Sequence, residues 1–413
     1  MIALLGMALL HVAGAVLRHV ATRCGLKAAL SSPSSAWFAI ALFFALSLGP
    51  SGVVILMGLA AAWWTAKPLT PTLSPLGGKG RALGVFAIIV LARPFVPTWW
   101  DEFVWLGKAR FESLGFGEGV HAGLDPAQHV IPAGYPPLWP SLVGWISLGQ
   151  DSLSAHVLAA SLLVLLCAAT ALEAIDVQRP RMLIIAVLAA APLVWAHARS
   201  TYVDLPVGLL GLAVAGLLLS GEDRPPLLAA VIAVSVTAFK DEGLAQMLAA
   251  TAAAMFVHGF KKWRLALPLV LSVMTLGIWR WLVGTSGVRL FDHALGIPYW
   301  PWIPKLIELL AMHASDVFSW GVFWAVTLGV ALRPSRDPMV RALRVMLLLL
   351  LIFTAGALLA GPERVRVFAE NGTLLNRLLL QLWPCAAVLV MSALSPAVES
   401  PEVPPSPFGR LLK

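Results

Sequence analysis

Residues 226–257 read PLLAAVIAVSVTAFKDEGLAQMLAATAAAMFV, two apolar runs at 226–239 and 243–257 parted by Lys240-Asp241-Glu242-Gly243. Each run reads as a helix in hydrocarbon, and a hairpin between two such helices explains where the charges fall. Two acids and a lysine exceed what a turn requires. Charge beside hydrocarbon is costly enough that it needs a partner or a task.

Working outward, similar runs recur near 1–17, 36–49, 52–66, 82–97, 152–175, 182–198, 203–219, 265–283, 314–332, 345–361 and 374–395. Hydrophobic residues make up 59% of the 413, charged residues 12%, and mean hydropathy is +0.85. A water-soluble fold with that composition could not cover its own surface. The expectation is an all-α polytopic membrane protein with about thirteen transmembrane helices (range 11 to 13), forming a single domain over 1–395. Within it, 98–151 is the first large outer loop and 67–81 an irregular cytoplasmic loop with turn chemistry throughout. Residues 67–81 also resemble the peptide that bacterial intergenic repeat elements encode, which implies an insertion without function. The stretch 396–413, rich in proline, serine and glutamate, reads as a disordered tail.

The net charge of +8 does not imply nucleic acid, because the basic residues fall in short clusters between apolar runs. Clusters such as Arg18, Arg23 and Lys27, or Lys261, Lys262 and Arg264, alternate with loops that carry fewer cations. The richer set is cytoplasmic by the positive-inside rule, which puts the tips at 98–151, 199–204, 240–243, 284–313 and 362–373 together on the opposite face. Cys24, Cys167 and Cys385 form neither a paired framework nor a CxxC site.

Those tips hold the candidate functional residues. Trp99-Trp100-Asp101-Glu102 places a carboxylate pair at the membrane edge; adjacent helical residues point roughly 100° apart, so one of the two faces a given site, and Asp101 is the choice. Lys108 and Arg110 could hold an anion or solvate a surface helix that includes Glu112. Tyr135-Pro136-Pro137-Leu138 is a stiff entry into the next helix, because each proline fixes its own φ and restricts the residue before it. His121, Asp125 and His129 have four-residue spacing, but Gly119, Gly123 and Pro126 argue against a regular helix there and so against a metal site.

Asp204 opens an apolar run, where it is either a helix N-terminal cap or a site acid with His197 or Arg199 as partner. Lys240 and Glu242 read as site residues. Arg289, Asp292 and His293 precede Pro298-Tyr299-Trp300-Pro301-Trp302, which looks like a loop lying in the interface. Arg377 sits about one turn inside an apolar helix, a depth at which arginine has a carboxylate or phosphate partner.

The order and shared face of these elements resemble the GT-C membrane glycosyltransferases, among them the protein O-mannosyltransferases and the aminoarabinose lipid A transferases. The likeness runs over about 82–250: Asp101-Glu102 after an early span, Tyr135-Pro136-Pro137-Leu138 opening a helix, Tyr202-x-Asp204-x-Pro206, then Lys240-x-Glu242-Gly243, with Arg377 to Pro384 as further support. It departs where Pro136 and Pro137 follow Tyr135 in place of the histidine of many members.

The resemblance implies a bacterial inner-membrane enzyme whose active face is periplasmic. Its donor would be a polyprenyl-phosphate-linked sugar and its acceptor a lipid, glycan or protein. Asp101 or Glu102 would serve as catalytic base, while Lys108, Tyr135, Asp204, Lys240, Glu242, Arg289 and Arg377 would bind substrate. No cofactor is required by this reading, with a divalent metal as an open addition. A transporter or flippase of a lipid-linked or anionic solute is the rival class, since many spans and intramembrane ions suit it equally.

Overall fold

The computed structural model describes residues 32–48, 51–55, 57, 100–115, 117–125, 135–148, 150, 152–175, 191–220, 227–287, 296–372 and 374–394. The runs at 1–17 and 82–97, the linker 67–81, the tail 396–413, and Arg289, Asp292, His293 and His129 lie outside them, as do the side chains of Asp101 and Glu102.

Among the described residues every regular element is helical. In chain order they are α1 (Ser32–Ser47), α2 (Trp100–Leu114), α3 (Glu118–Leu124), α4 (Leu138–Ile146), α5 (Leu153–Ala174), α6 (Pro192–Ala198), α7 (Asp204–Leu219) and α8 (Leu227–Phe239). Then come α9 (Gly243–His258), α10 (Leu267–Thr285), α11 (Ile303–Ala314), α12 (Val317–Trp320), α13 (Phe323–Leu332), α14 (Pro338–Ala360), α15 (Glu363–Glu370) and α16 (Leu375–Leu394). Among the described residues four stretches are long and apolar enough to cross a membrane: α5, Trp263–Thr285 (which includes α10), α14 and α16. The described residues are thus all-helical, with long apolar helices of the kind a membrane protein requires.

The bundle is organised around α7. Its sixteen residues, DLPVGLLGLAVAGLLL, are apolar on every side after Asp204, so no face prefers solvent, and α5, α8, α9 and α16 surround it. Small residues allow those neighbours close. A Cβ on Gly208 would stand 2.5 Å from the carbonyl oxygen of Gln381 on α16, and one on Gly211 would stand 2.4 Å from Gln246 Oε1 on α9. Gly208→Ala should therefore push α16 off α7 and destabilise the protein by about 1–3 kcal/mol, read as a lower thermal unfolding midpoint in detergent. By contrast α10 and α14 carry exposed apolar faces, including Val273, Trp281, Leu348 and Ile352, as lipid-facing helices should.

Two expectations need correction. The run 314–332 is not one helix: α11 ends at Ala314, α12 is a single turn and α13 starts at Phe323. Asp316 caps the new turn through Phe318 N–H (3.0 Å) and accepts from Ser319 Oγ (2.6 Å), and Gly321 turns the chain at φ 55°. The stretch 98–151 is also more than a loop. It contains α2, α3 and α4, with α2 packed on α4 so closely that a Cβ on Gly144 would fall 2.1 Å from Ala109 O.

Candidate functional site

Glu112 explains how the first of these helices is held. Its carboxylate accepts from Gly117 N–H at 2.7 Å and Gly119 N–H at 2.8 Å, satisfying donors at the start of α3. Those bonds let α3 form as a short helix in spite of Gly119 and Gly123, which the sequence alone speaks against. Burial raises the Glu112 carboxyl, and the two N–H donors oppose the shift. Neither Glu112 nor Lys108 is a solvated surface residue: both are buried, while Arg110 on the same helix is exposed.

Lys108 points into an aromatic corner. Its Nζ lies 5.4 Å from the Trp105 ring centre and 5.7 Å from that of Tyr135, and the two rings are 5.7 Å apart. On the other helical hairpin, Lys240 Nζ is 5.8 Å from the same Tyr135 ring. Tyr135 thus stands between two lysines, held in place by the stiff Pro136-Pro137 entry to α4. Trp139, the second residue of α4, donates to Thr201 O at 2.8 Å and ties this element to the tip before α7.

Asp204 is the centre of the arrangement. It is the first residue of α7, one position past the N-cap, which is Val203. Its oxygens accept from Lys240 Nζ at 2.7 Å, Gln381 Nε2 at 2.7 Å and Arg377 Nε at 3.0 Å. The cap reading is therefore replaced by an ion-pair hub. Lys240 also meets Glu242 Oε1 at 2.9 Å, and Arg377 lies 4.6 Å over the Tyr202 ring. Asp241 pairs with Arg280 of α10. Arg199 turns back, its Nε donating to Trp195 O at 3.2 Å.

These bonds bring the start of α7, the end of α8, the start of α9, the last turns of α10 and the first turns of α16 to one end of the bundle. Of the residues picked out in the sequence, Lys108, Tyr135, Asp204, Lys240, Glu242 and Arg377 converge there. Sequence reasoning passed over Arg280, and it quoted Tyr202 and Gln381 within motifs without giving either a role. Gln381 falls four residues after Arg377, one turn along the same stripe of an apolar helix, and Arg280 is a charge inside the run 265–283; either pattern was a readable signal. Among the described residues no group of three or more His, Cys, Asp or Glu side chains is placed to hold a metal.

Burial in the aromatic corner lowers the Lys108 amine from its ordinary 10.5 to about 7, with Asp241 opposing the shift. Between those two values the unfolded chain binds more protons than the folded one, so stability rises with pH across that window. The penalty is complete below the lower value and gone above the higher one. Lys108→Met should remove the slope and stabilise the protein at neutral pH by on the order of 3–5 kcal/mol, measured as the unfolding midpoint between pH 7 and 10.

Compared with protein-family models, curated proteins and solved structures, the chain shows no match.

Proposed function

We propose that the chain is an integral membrane glycosyltransferase that moves a sugar from a polyprenyl-phosphate donor to an acceptor on the extracytoplasmic face. The observation that carries this reading is the convergence of Lys108, Lys240 and Arg377 at one end of the bundle, on the helices that also bring Tyr135 and Asp204 there. A departing lipid phosphate needs cations to take up its charge, and preorganised cations in a low-dielectric setting are worth far more than cations in water. Asp204, saturated by three donors, is a positioning residue: it orients Lys240 and Arg377 and is not free to accept a proton from substrate. Sequence alternation adds the finer expectations of about thirteen spans and an extracytoplasmic site.

In the proposed step an acceptor hydroxyl or amine attacks the anomeric carbon as the bond from that carbon to the phosphate oxygen breaks. The electron pair leaves with the phosphate, the acceptor proton passes to the carboxylate of Asp101, and the anomeric configuration inverts. The test is purified protein in lipid with a polyprenyl-phosphate sugar and candidate lipid, glycan and peptide acceptors. Covalent transfer supports the reading. Movement of the intact sugar lipid across the bilayer without transfer would establish the transporter class instead.

A further inference from the structure

We infer that the segment 296–322 lies in the plane of the bilayer interface, its outer face covered by phospholipid. The inference rests on the membrane reading alone and is independent of the transferase chemistry. Its height is fixed by backbone bonds: Gly296 N–H donates to Ala360 O at 2.6 Å and Tyr299 N–H to Leu359 O at 2.9 Å. Both acceptors belong to the last turn of α14, where a spanning helix leaves hydrocarbon and its carbonyls lack intrahelical donors. Arg366 of α15 adds a cation contact 5.1 Å from the Tyr299 ring centre.

From there α11 runs across the ends of the spanning helices. Its inner face buries Leu306 and Leu309 in a cluster with Leu358 and Leu359 of α14 and Leu375 and Leu378 of α16. Its outer side mixes the exposed Lys305–Glu308 pair with Ile307 and Met312, and the flanks on either side are apolar. Ile297 is 92% exposed and Phe318 94%, with Trp300, Ile307, Val317 and Val322 exposed between or beside them. So many large apolar side chains exposed within one short segment mark an interaction surface. Tryptophan, tyrosine and isoleucine at the end of a span, with Lys305 and Glu308 paired at 2.9 Å on the same helix, have the make-up of an in-plane interfacial element.

The consequence reaches the charged hub. Leu375 and Leu378 flank Arg377 in sequence, so the interface plane and the Asp204–Arg377 pair share a level.

Nitroxide labels at Phe318→Cys and Ile307→Cys, in full-length protein carrying Cys24→Ser, test this in nanodiscs of phosphatidylcholine and phosphatidylglycerol. Relaxation by oxygen is compared with relaxation by a water-soluble nickel chelate. Leu348→Cys on the exposed face of α14 serves as the hydrocarbon reference and Arg336→Cys as the aqueous one. Both test labels should show an oxygen-to-nickel ratio several-fold above that of Arg336→Cys. Ratios equal to the aqueous reference, with Leu348→Cys still dominated by oxygen, overturn the inference and leave the membrane fold intact. An aqueous reading at Leu348→Cys would overturn both.

Discussion

Asp204→Asn should be the most damaging single substitution in the hub. The change keeps the shape of the side chain but removes the charge that holds Lys240 at 2.7 Å and Arg377 at 3.0 Å, and Asp204 is wholly buried. Removing one member of a buried ion network leaves its partners without compensation, a loss of about 3–5 kcal/mol. The measurement is the unfolding midpoint in detergent at neutral pH. Transfer should fall by at least about 100-fold even in the protein that remains folded, because small displacements of positioned groups cost that much.

A second substitution separates the two effects. In the Asp204→Asn background, Lys240→Met removes a cation that has lost its main partner, so part of the stability should return. Glu242, which pairs with Lys240 at 2.9 Å, limits how much. Activity should stay lost, since the proposed phosphate-facing lysine is gone. Recovery of activity together with stability would mean that the hub serves folding alone.

Much of this fold was legible in the sequence because hydrocarbon is an intolerant solvent. The runs at 152–175, 203–219 and 226–239 reappear as Leu153–Ala174, Asp204–Leu219 and Leu227–Phe239, and Asp204 at the head of one run meets Lys240 of the 240–243 tip. What could not be read was pairing at a distance. Asp204 and Lys240 are separated by 36 positions and Asp204 and Arg377 by 173, and nothing local to Asp204 distinguishes a hub from a helix cap. The same limit hid Glu112: its partners are the backbone N–H groups of Gly117 and Gly119, whose approach depends on a turn that the bonds themselves stabilise. The break at 315–322 was lost for a different reason, since its apolar composition continues through the turn and only Asp316 and Gly321 mark it.

Asp101→Asn should lower transfer by about 100- to 10,000-fold, the usual worth of a positioned general base, with normal amounts of protein in the membrane. We propose Asp101 over Glu102 from sequence spacing alone. Position 101 lies four residues before Trp105 and seven before Lys108, so the three share one stripe, and Trp105 and Lys108 are the residues of α2 that meet Tyr135. Glu102→Gln should therefore retain transfer within a few-fold of the unaltered protein. A carboxylate base also predicts a rate that declines as pH falls through its titration, and that acid limb should vanish from the residual activity of Asp101→Asn. If the large loss falls on Glu102→Gln instead, the register argument is wrong while the chemistry stands. If both variants keep full activity, the proton goes to another group, and Glu242 becomes the carboxylate to test: it is 30% exposed, and one of its oxygens is bonded to Lys240 while the other has no hydrogen-bond partner among the described residues.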